Sequence, residues 1–312
     1  MKIYHSLSGF QKLSNAVVTS GTFDGVHLGH QKILARLREI AQTTSGESVV
    51  ITYWPHPRMV VSGAADLQLL STIEEKTELL KEQQVNHLLV IPFTRDFSEL
   101  TSEQFIRQIL VDRIGTRKLV IGYDHRFGRN REGSFEHLSQ NADVYGFEVE
   151  EIPRQDIDHV GVSSSKIRQA LLEGNVPIAT EYLGRQYSLS GVVVKGNQLG
   201  RTIGYPTANI HAPESYKLIP ADGVYAVQVL ANHQLHGGMM NIGIRPTIHG
   251  THRTIEVNIF DFDADIYGQE ITVFFVEKIR NEHKFNGIEA LKAQLHTDKQ
   301  TALGMLRDYK IT

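Results

Sequence analysis

Along the first 150 residues, short runs of β-branched and apolar side chains alternate with stretches whose apolar positions recur every three to four residues. Residues 16–20 (Ala-Val-Val-Thr-Ser), 49–53, 88–91, 118–121 and 147–152 read as strands. Ile33, Leu34, Leu37, Ile40 and Ala41 set one face of a helix behind the first of them, and Leu79, Leu80, Ile106, Ile109 and Leu110 do the same for later helices. Ser71-Thr72-Ile73-Glu74 and Thr101-Ser102-Glu103-Gln104 precede those later helices with capping-box spacing. Strands joined by crossover helices run parallel, so the pattern predicts an α/β domain on a parallel sheet.

A helix is expected from 164 to 173, stopping at Gly174-Asn175, and a second opens at Pro177 and ends at Leu183-Gly184. The grammar then changes. Segments 189–195, 224–230, 239–242, 254–260 and 271–276 are short, β-branched and separated by glycine and proline, which suggests a small antiparallel barrel. Leu291, Leu295, Leu303 and Leu306 place a terminal helix over 288–311. The expected division is into domains 1–184 and 186–312.

Composition narrows the partners. The 32 basic and 35 acidic residues give a net charge of -3, so nucleic acid is not an expected partner and any anion must be met by local clustering. With no cysteine in the 312 residues, disulfides, thiolate metal sites and a cysteine nucleophile are excluded. No apolar run reaches membrane-spanning length and residues 1–6 lack a signal-peptide core, so a cytoplasmic protein without a membrane partner is expected. The sequence names no protein partner.

Residues 21–30, Gly-Thr-Phe-Asp-Gly-Val-His-Leu-Gly-His, join the first strand to the first helix. A helix start presents unpaired N–H groups and partial positive charge, Gly21, Gly25 and Gly29 admit a ligand to the backbone, and His27 and His30 add side-chain donors. Polyphosphate is the natural guest, and an imidazole with an unperturbed pKa of about 6.5 can be kept protonated by it. The run resembles the signature of the HxGH nucleotidyltransferases, most of all their flavin-adenylating branch. The resemblance implies a Rossmann-like domain in which Phe23 and Asp24 also line the nucleotide site.

Two further segments fit. Ser163, Ser164 and Arg168 stand at another helix start; alone they read as N-caps and a solvated arginine, but they resemble the element that grips ATP phosphates in that superfamily. The basic stretch 121–133 has the form of a solvated loop and resembles the Gly-x-x-x-x-Phe-Gly loop of flavin adenylyltransferases, which implies phosphate neighbours for Asp124 and Arg126. A carboxylate cannot donate to phosphate, so the role of Asp124 stays open. Residues 53–58, Tyr-Trp-Pro-His-Pro-Arg, resemble the family's Phe-Asp-Pro-His-Pro turn, placing His56 and Arg58 second in rank.

In the second half, Gly196, Gly200 and Gly204 recur every four residues and are followed by Thr207 and Asn209, whose oxygens suit Mg²⁺ and polyphosphate. Physics alone leaves open an anion cradle or a plain glycine-rich loop. Gly200-Arg201-x-x-Gly204-x-Pro206-Thr207-Ala208-Asn209 resembles the signature of riboflavin kinases, which implies a six-stranded barrel binding ATP with Mg²⁺, and riboflavin. Strand alternation puts Glu256 and Asn258 on the face opposite Ile255, Val257 and Ile259. The resemblance makes Glu256 the candidate general base, with Tyr225 and Arg280 on the binding surface. His249 and His252 offer two ligands where a zinc site needs three or four.

Taken together, the resemblances imply a bifunctional enzyme that makes FMN from riboflavin and FAD from FMN, using ATP with Mg²⁺ as cofactor. Two other readings use the same residues: an adenylyltransferase for another small phosphate ester with a non-catalytic barrel, and a flavin-binding sensor without turnover.

Overall fold

A computed structural model describes residues 1–64, 66–123, 125–153, 161–196, 199–212, 214–247 and 250–309. Its contacts separate into two units, Met1–Ser164 and Ser165–Thr312.

In the first unit, six strands among the described residues form a sheet in the order β1-β4-β3-β2-β5-β6. They are β1 (Lys2–Tyr4), β2 (Ala16–Ser20), β3 (Glu47–Trp54), β4 (His87–Pro92), β5 (Thr116–Gly122) and β6 (Glu148–Ile152), and every neighbouring pair is parallel. The central strands are apolar at successive positions because both faces are covered. Val17, Val50, Leu88 and Val120 pack with Leu34, Leu37 and Ile40 of α1 (Leu28–Thr43), after which come α2 (Pro57–Val61) and α3 (Ile73–Glu82). Val18, Ile51, Leu89, Leu119 and Ile121 pack with Phe105, Ile106, Ile109 and Leu110 of a π-helical stretch, Phe105–Ile114. The chain moves outward one way through β3 and β4, then returns to the other side of β2 with β5. The carboxyl ends of β2 and β5 therefore flank the switch point, where open α/β sheets bind ligands.

Three local expectations change. The capping box before α3 is set one residue later than Ser71–Glu74: Thr72 Oγ1 accepts from Glu75 N at 3.2 Å, and the Glu75 carboxylate accepts from Thr72 N at 2.9 Å. Strand β1 was absent from the pattern because its three residues lie at an edge with two of them exposed. Strand β8 (Ala208–His211) was hidden inside the glycine-rich motif.

In the second unit, β7 (Ser188–Val194), β8, β9 (Gly223–Ala231), β10 (Gln234–Thr247), β11 (Gly250–Ile259) and β12 (Glu270–Arg280) close a barrel in the order β10-β11-β8-β7-β12-β9. All its pairings are antiparallel. Helices Ser164–Glu173 and Val176–Leu183 fall where the pattern put them, and Leu171 O accepts a hydrogen bond from Ala221 N at 2.9 Å. The terminal helix, Ile288–Asp308, packs Ala302, Leu295, Leu303 and Leu306 with Met239, Phe260 and Val276 of the barrel. It is locked there by Asp298, 1% exposed, which receives both Nε and Nη2 of Arg280 at 2.8–3.1 Å.

The 21–30 turn depends on α1 being seated on β2. Leu34 is fully buried there, so Leu34→Ala is expected to cost the first unit about 2–5 kcal/mol, read as a lower denaturant midpoint.

Candidate active sites

Strand β2 ends at Ser20 and α1 begins at Leu28. The turn between them takes left-handed φ at Phe23 (46°), Gly25 (79°) and Val26 (39°). A phenylalanine and a β-branched valine resist that region, so the turn must be held by its surroundings. Residues 70–76 hold it. Asp24 Oδ1 accepts from Leu70 N at 2.9 Å and Ser71 N at 3.3 Å, and Ser71 Oγ accepts from Gly25 N at 3.2 Å. Lys76 Nζ donates to Thr22 O at 2.8 Å. Asp24 and Lys76 are 1% and 3% exposed, so these bonds are made out of water.

His27 occupies the N-cap of α1, but its side chain does not cap the helix. Its ring stacks on that of His30 with centroids 3.7 Å apart and planes at 18°, and Phe23 lies 5.1 Å from His30. His27 is 6% exposed and His30 half-buried. Burial first, then His27, then Lys76, hold the His30 pKa well below its ordinary value. His30 is therefore neutral at pH 7 in the free protein.

Across the switch point, Ser20 Oγ lies 3.2 Å from His125 Nε2, tying the ends of β2 and β5 together. Burial, and then Arg126 and Arg131, pull the His125 pKa down to about 4. Arg126 itself is exposed, and its Nη1 donates to His125 O at 3.1 Å. Ser164 Oγ donates to Asp24 O at 3.0 Å, which brings that serine to the back of the turn. Gly21 and Gly29 lie within the turn and the first turn of α1, and Ser163 is half-buried beside Ser164. Arg168 stands one helical turn beyond Ser164 and belongs to the second unit. Asp124 lies outside the described residues, as does His249. His56 Nδ1 accepts from Arg58 N at 3.2 Å as the N-cap of α2.

In the second unit, a cavity of about 240 Å³ is walled by Gly200, Tyr205, Thr207, Glu256, Asn258 and Arg280, among others. Antiparallel register sets Asn209, Glu256 and Asn241 directly opposite one another on β8, β11 and β10, so the three make one polar row. Thr207 Oγ1 donates to Glu256 Oε2 at 3.4 Å, and Asn258 Nδ2 donates to Pro206 O at 2.7 Å. A Cβ at Gly196 would stand 2.2 Å from Asn209 Nδ2, and one at Gly200 would stand 2.1 Å from the Tyr205 carbonyl oxygen, so glycine at these positions lets the loop close tightly. Gly204 and Arg201 are exposed on the loop. Arg280 lines the cavity with its guanidinium fixed by Asp298 and lying over the Phe285 ring at 5.5 Å. Tyr225 is not brought to this cavity: it is fully buried, donates to Ala221 O, and meets Phe275 edge-on.

Comparison with known proteins matches residues 10–166 to the FAD synthetase family and 183–306 to the riboflavin kinase family. The bifunctional riboflavin kinase/FMN adenylyltransferase of Haemophilus influenzae is 39% identical over 93% of this chain and 94% of its own length. Its namesake from Escherichia coli K12 is 38% identical over 95% and 96%. The chain belongs to the bifunctional riboflavin kinase/FMN adenylyltransferase family. A crystal structure described as a macrolide-efflux protein from Streptococcus pneumoniae is 32% identical, covers 99% of both chains and superposes with a TM-score of 0.89. Among the described residues, no helix is long and apolar enough to cross a membrane.

For this member of the family, sequence reading missed Lys76, Ser20 and the bracing residues Leu70 and Ser71. A signal was present for Lys76, which stands on the inward face of α3 between Ile73 and Leu80. Ser20 and Ser71 give none, since a serine reads alike on a strand end or in a loop. The structure also makes Asp24 a brace, because its carboxylate receives backbone N–H groups of the same unit.

Asp24→Ala removes the carboxylate that accepts from Leu70 N and Ser71 N and is expected to destabilise the first unit by about 1–3 kcal/mol in denaturant unfolding. The His125 imidazole is expected to stay neutral from pH 8 to pH 5, seen as a flat ring-proton shift over that range where a free histidine titrates.

Proposed function

We propose that the chain phosphorylates riboflavin to FMN in its barrel and adenylylates FMN to FAD at the 21–30 turn, with residues 186–312 and 1–184 as the respective catalytic domains. The observation that carries this reading is the pairing, in one chain, of a histidine-bearing helix start at a sheet switch point with a barrel cavity that holds Glu256 and Thr207 together.

In the kinase reaction, Glu256 accepts the proton of the ribityl 5′-hydroxyl as that oxygen attacks the γ-phosphorus of ATP, and ADP leaves. Gly196, Gly200 and Gly204 let the loop bring backbone N–H groups to the phosphates, while Arg201 and Arg280 add fixed positive charge. Thr207 and Asn209 offer hydroxyl and amide oxygens, hard donors that fit Mg²⁺. When bound there, Mg²⁺ supplies charge neutralisation on the transferring phosphates.

In the adenylyl transfer, an FMN phosphate oxygen attacks the α-phosphorus of a second ATP, the bond to the β-phosphate oxygen breaks, and pyrophosphate leaves. The N–H groups that open α1, together with His27 and His30, stabilise the charge gathering on that leaving group. Ser163 and Ser164 supply further donors to the same phosphates. No covalent enzyme intermediate is required. A cytoplasmic setting, where ATP is supplied, fits both steps.

The two reactions separate by mutation. Glu256→Gln is expected to lower FMN formation at least a hundredfold while FMN adenylylation stays within twofold, and the double change His27→Ala, His30→Ala is expected to do the converse. Chromatographic separation of riboflavin, FMN and FAD after incubation with Mg-ATP reads both, and loss of both activities in either folded variant would contradict the two-site reading.

A further inference from the structure

Lys76 is a cation buried where an aliphatic residue would fill the same space. It projects from α3, is 3% exposed, and shares the inward face of that helix with fully buried Leu80. Its Nζ donates to Thr22 O, and the same carbonyl accepts from Thr52 Oγ1 at 3.2 Å, so one oxygen of the turn is held by two buried donors. Removing a primary ammonium from water is costly unless its surroundings answer the charge. The answering groups are the Thr22 carbonyl and the attraction of the Asp24 carboxylate.

We propose that Lys76 is a positioning residue for adenylyl transfer: from beneath the 21–30 turn its ammonium fixes the Thr22 carbonyl and places positive charge under the phosphate site, acting through the turn and the stacked histidines. This rests on the reading of that site as the FMN adenylyltransferase. The charged and titratable groups acting on His30 are His27 from its own turn and Lys76 from α3, and Asp24 balances Lys76. With the ammonium in place, protonating His30 in the free protein is opposed, and that opposition is lifted only when a polyphosphate arrives. Burial pulls the Lys76 pKa down to about 8, so the charge itself is lost at moderately alkaline pH. A neutral hydrogen-bonding side chain would hold the same carbonyl without either effect.

The full chain carrying Lys76→Gln, which keeps an N–H donor but no charge, is compared with Lys76→Arg, which keeps the charge. Adenylylation of FMN is followed against pH, and the denaturant midpoint of the first unit in the same sample reports on folding. For Lys76→Gln the expectation is a fall of at least tenfold in the plateau kcat, KM values for FMN and ATP within about threefold, and an alkaline limb moved to higher pH. Lys76→Arg is expected to recover at least fivefold of that loss. A plateau within twofold of wild type for Lys76→Gln overturns the proposal, and so do equal losses in both variants with the limb unmoved, the mark of a structural role. Should Lys76→Gln fail to fold, the wild-type profile decides: kcat/KM must decline between pH 7 and 9 and do so less in Lys76→Arg, and a flat wild-type kcat/KM profile overturns the proposal. If His27→Ala, His30→Ala leaves adenylylation intact, the assignment of the site falls, which is distinct from failure of the Lys76 inference alone.

Discussion

Two imidazole rings in stacking contact cannot both take a proton cheaply, and this constraint governs the first unit. His27 and His30 are brought to a 3.7 Å ring separation by a turn with two strained non-glycine residues, above a buried lysine. The ring contact and the buried lysine both oppose positive charge on His30. An anion at the start of α1 would give the helix-start N–H groups, imidazolium and ammonium a common counter-ion. The strained backbone is held by Asp24 and Ser71, so the brace and the electrostatics are one piece of construction.

The barrel meets the same anion problem by other means. Its polar row is set by strand register: once β11 pairs with β8 and β10, Glu256 must lie between Asn209 and Asn241. The neighbouring loop is folded back on the sheet by glycines and by Asn258, whose amide donates to Pro206 O. A carboxylate and a hydroxyl within reach of one another at a cavity wall suit proton removal from an alcohol beside a bound triphosphate. The terminal helix then closes the cavity through Leu291 and Leu295, with the Arg280–Asp298 pair fixing its register.

Much of this was legible in the amino-acid order, for physical reasons. Strands β2 to β5 announced themselves as apolar runs because a doubly covered sheet leaves no polar face. Helix limits at Gly174 and Gly184 were legible because both glycines take left-handed φ, at 79° and 70°. Strand β1 was not, being an exposed edge of three residues, and β8 was not, because glycine and proline precede it. Among site residues, His27, His30, Thr207 and Glu256 stand in recognisable motifs. Tyr225 was expected at the binding surface and is a core residue, since strand alternation alone does not say which side of a barrel strand faces the cavity. The bracing role of Asp24 becomes visible only when residues 70–76 are folded beside it.

The central claim is that the start of α1, with its two imidazoles, is a polyphosphate site distinct from the barrel cavity. Pyrophosphate titrated into the ¹⁵N-labelled full chain, followed by amide resonances, tests it most directly. The account predicts saturable shifts at Leu28, Gly29 and His30 together with the ring signals of His27 and His30. Shifts confined to residues 199–209 while the α1 amides stay still would contradict it.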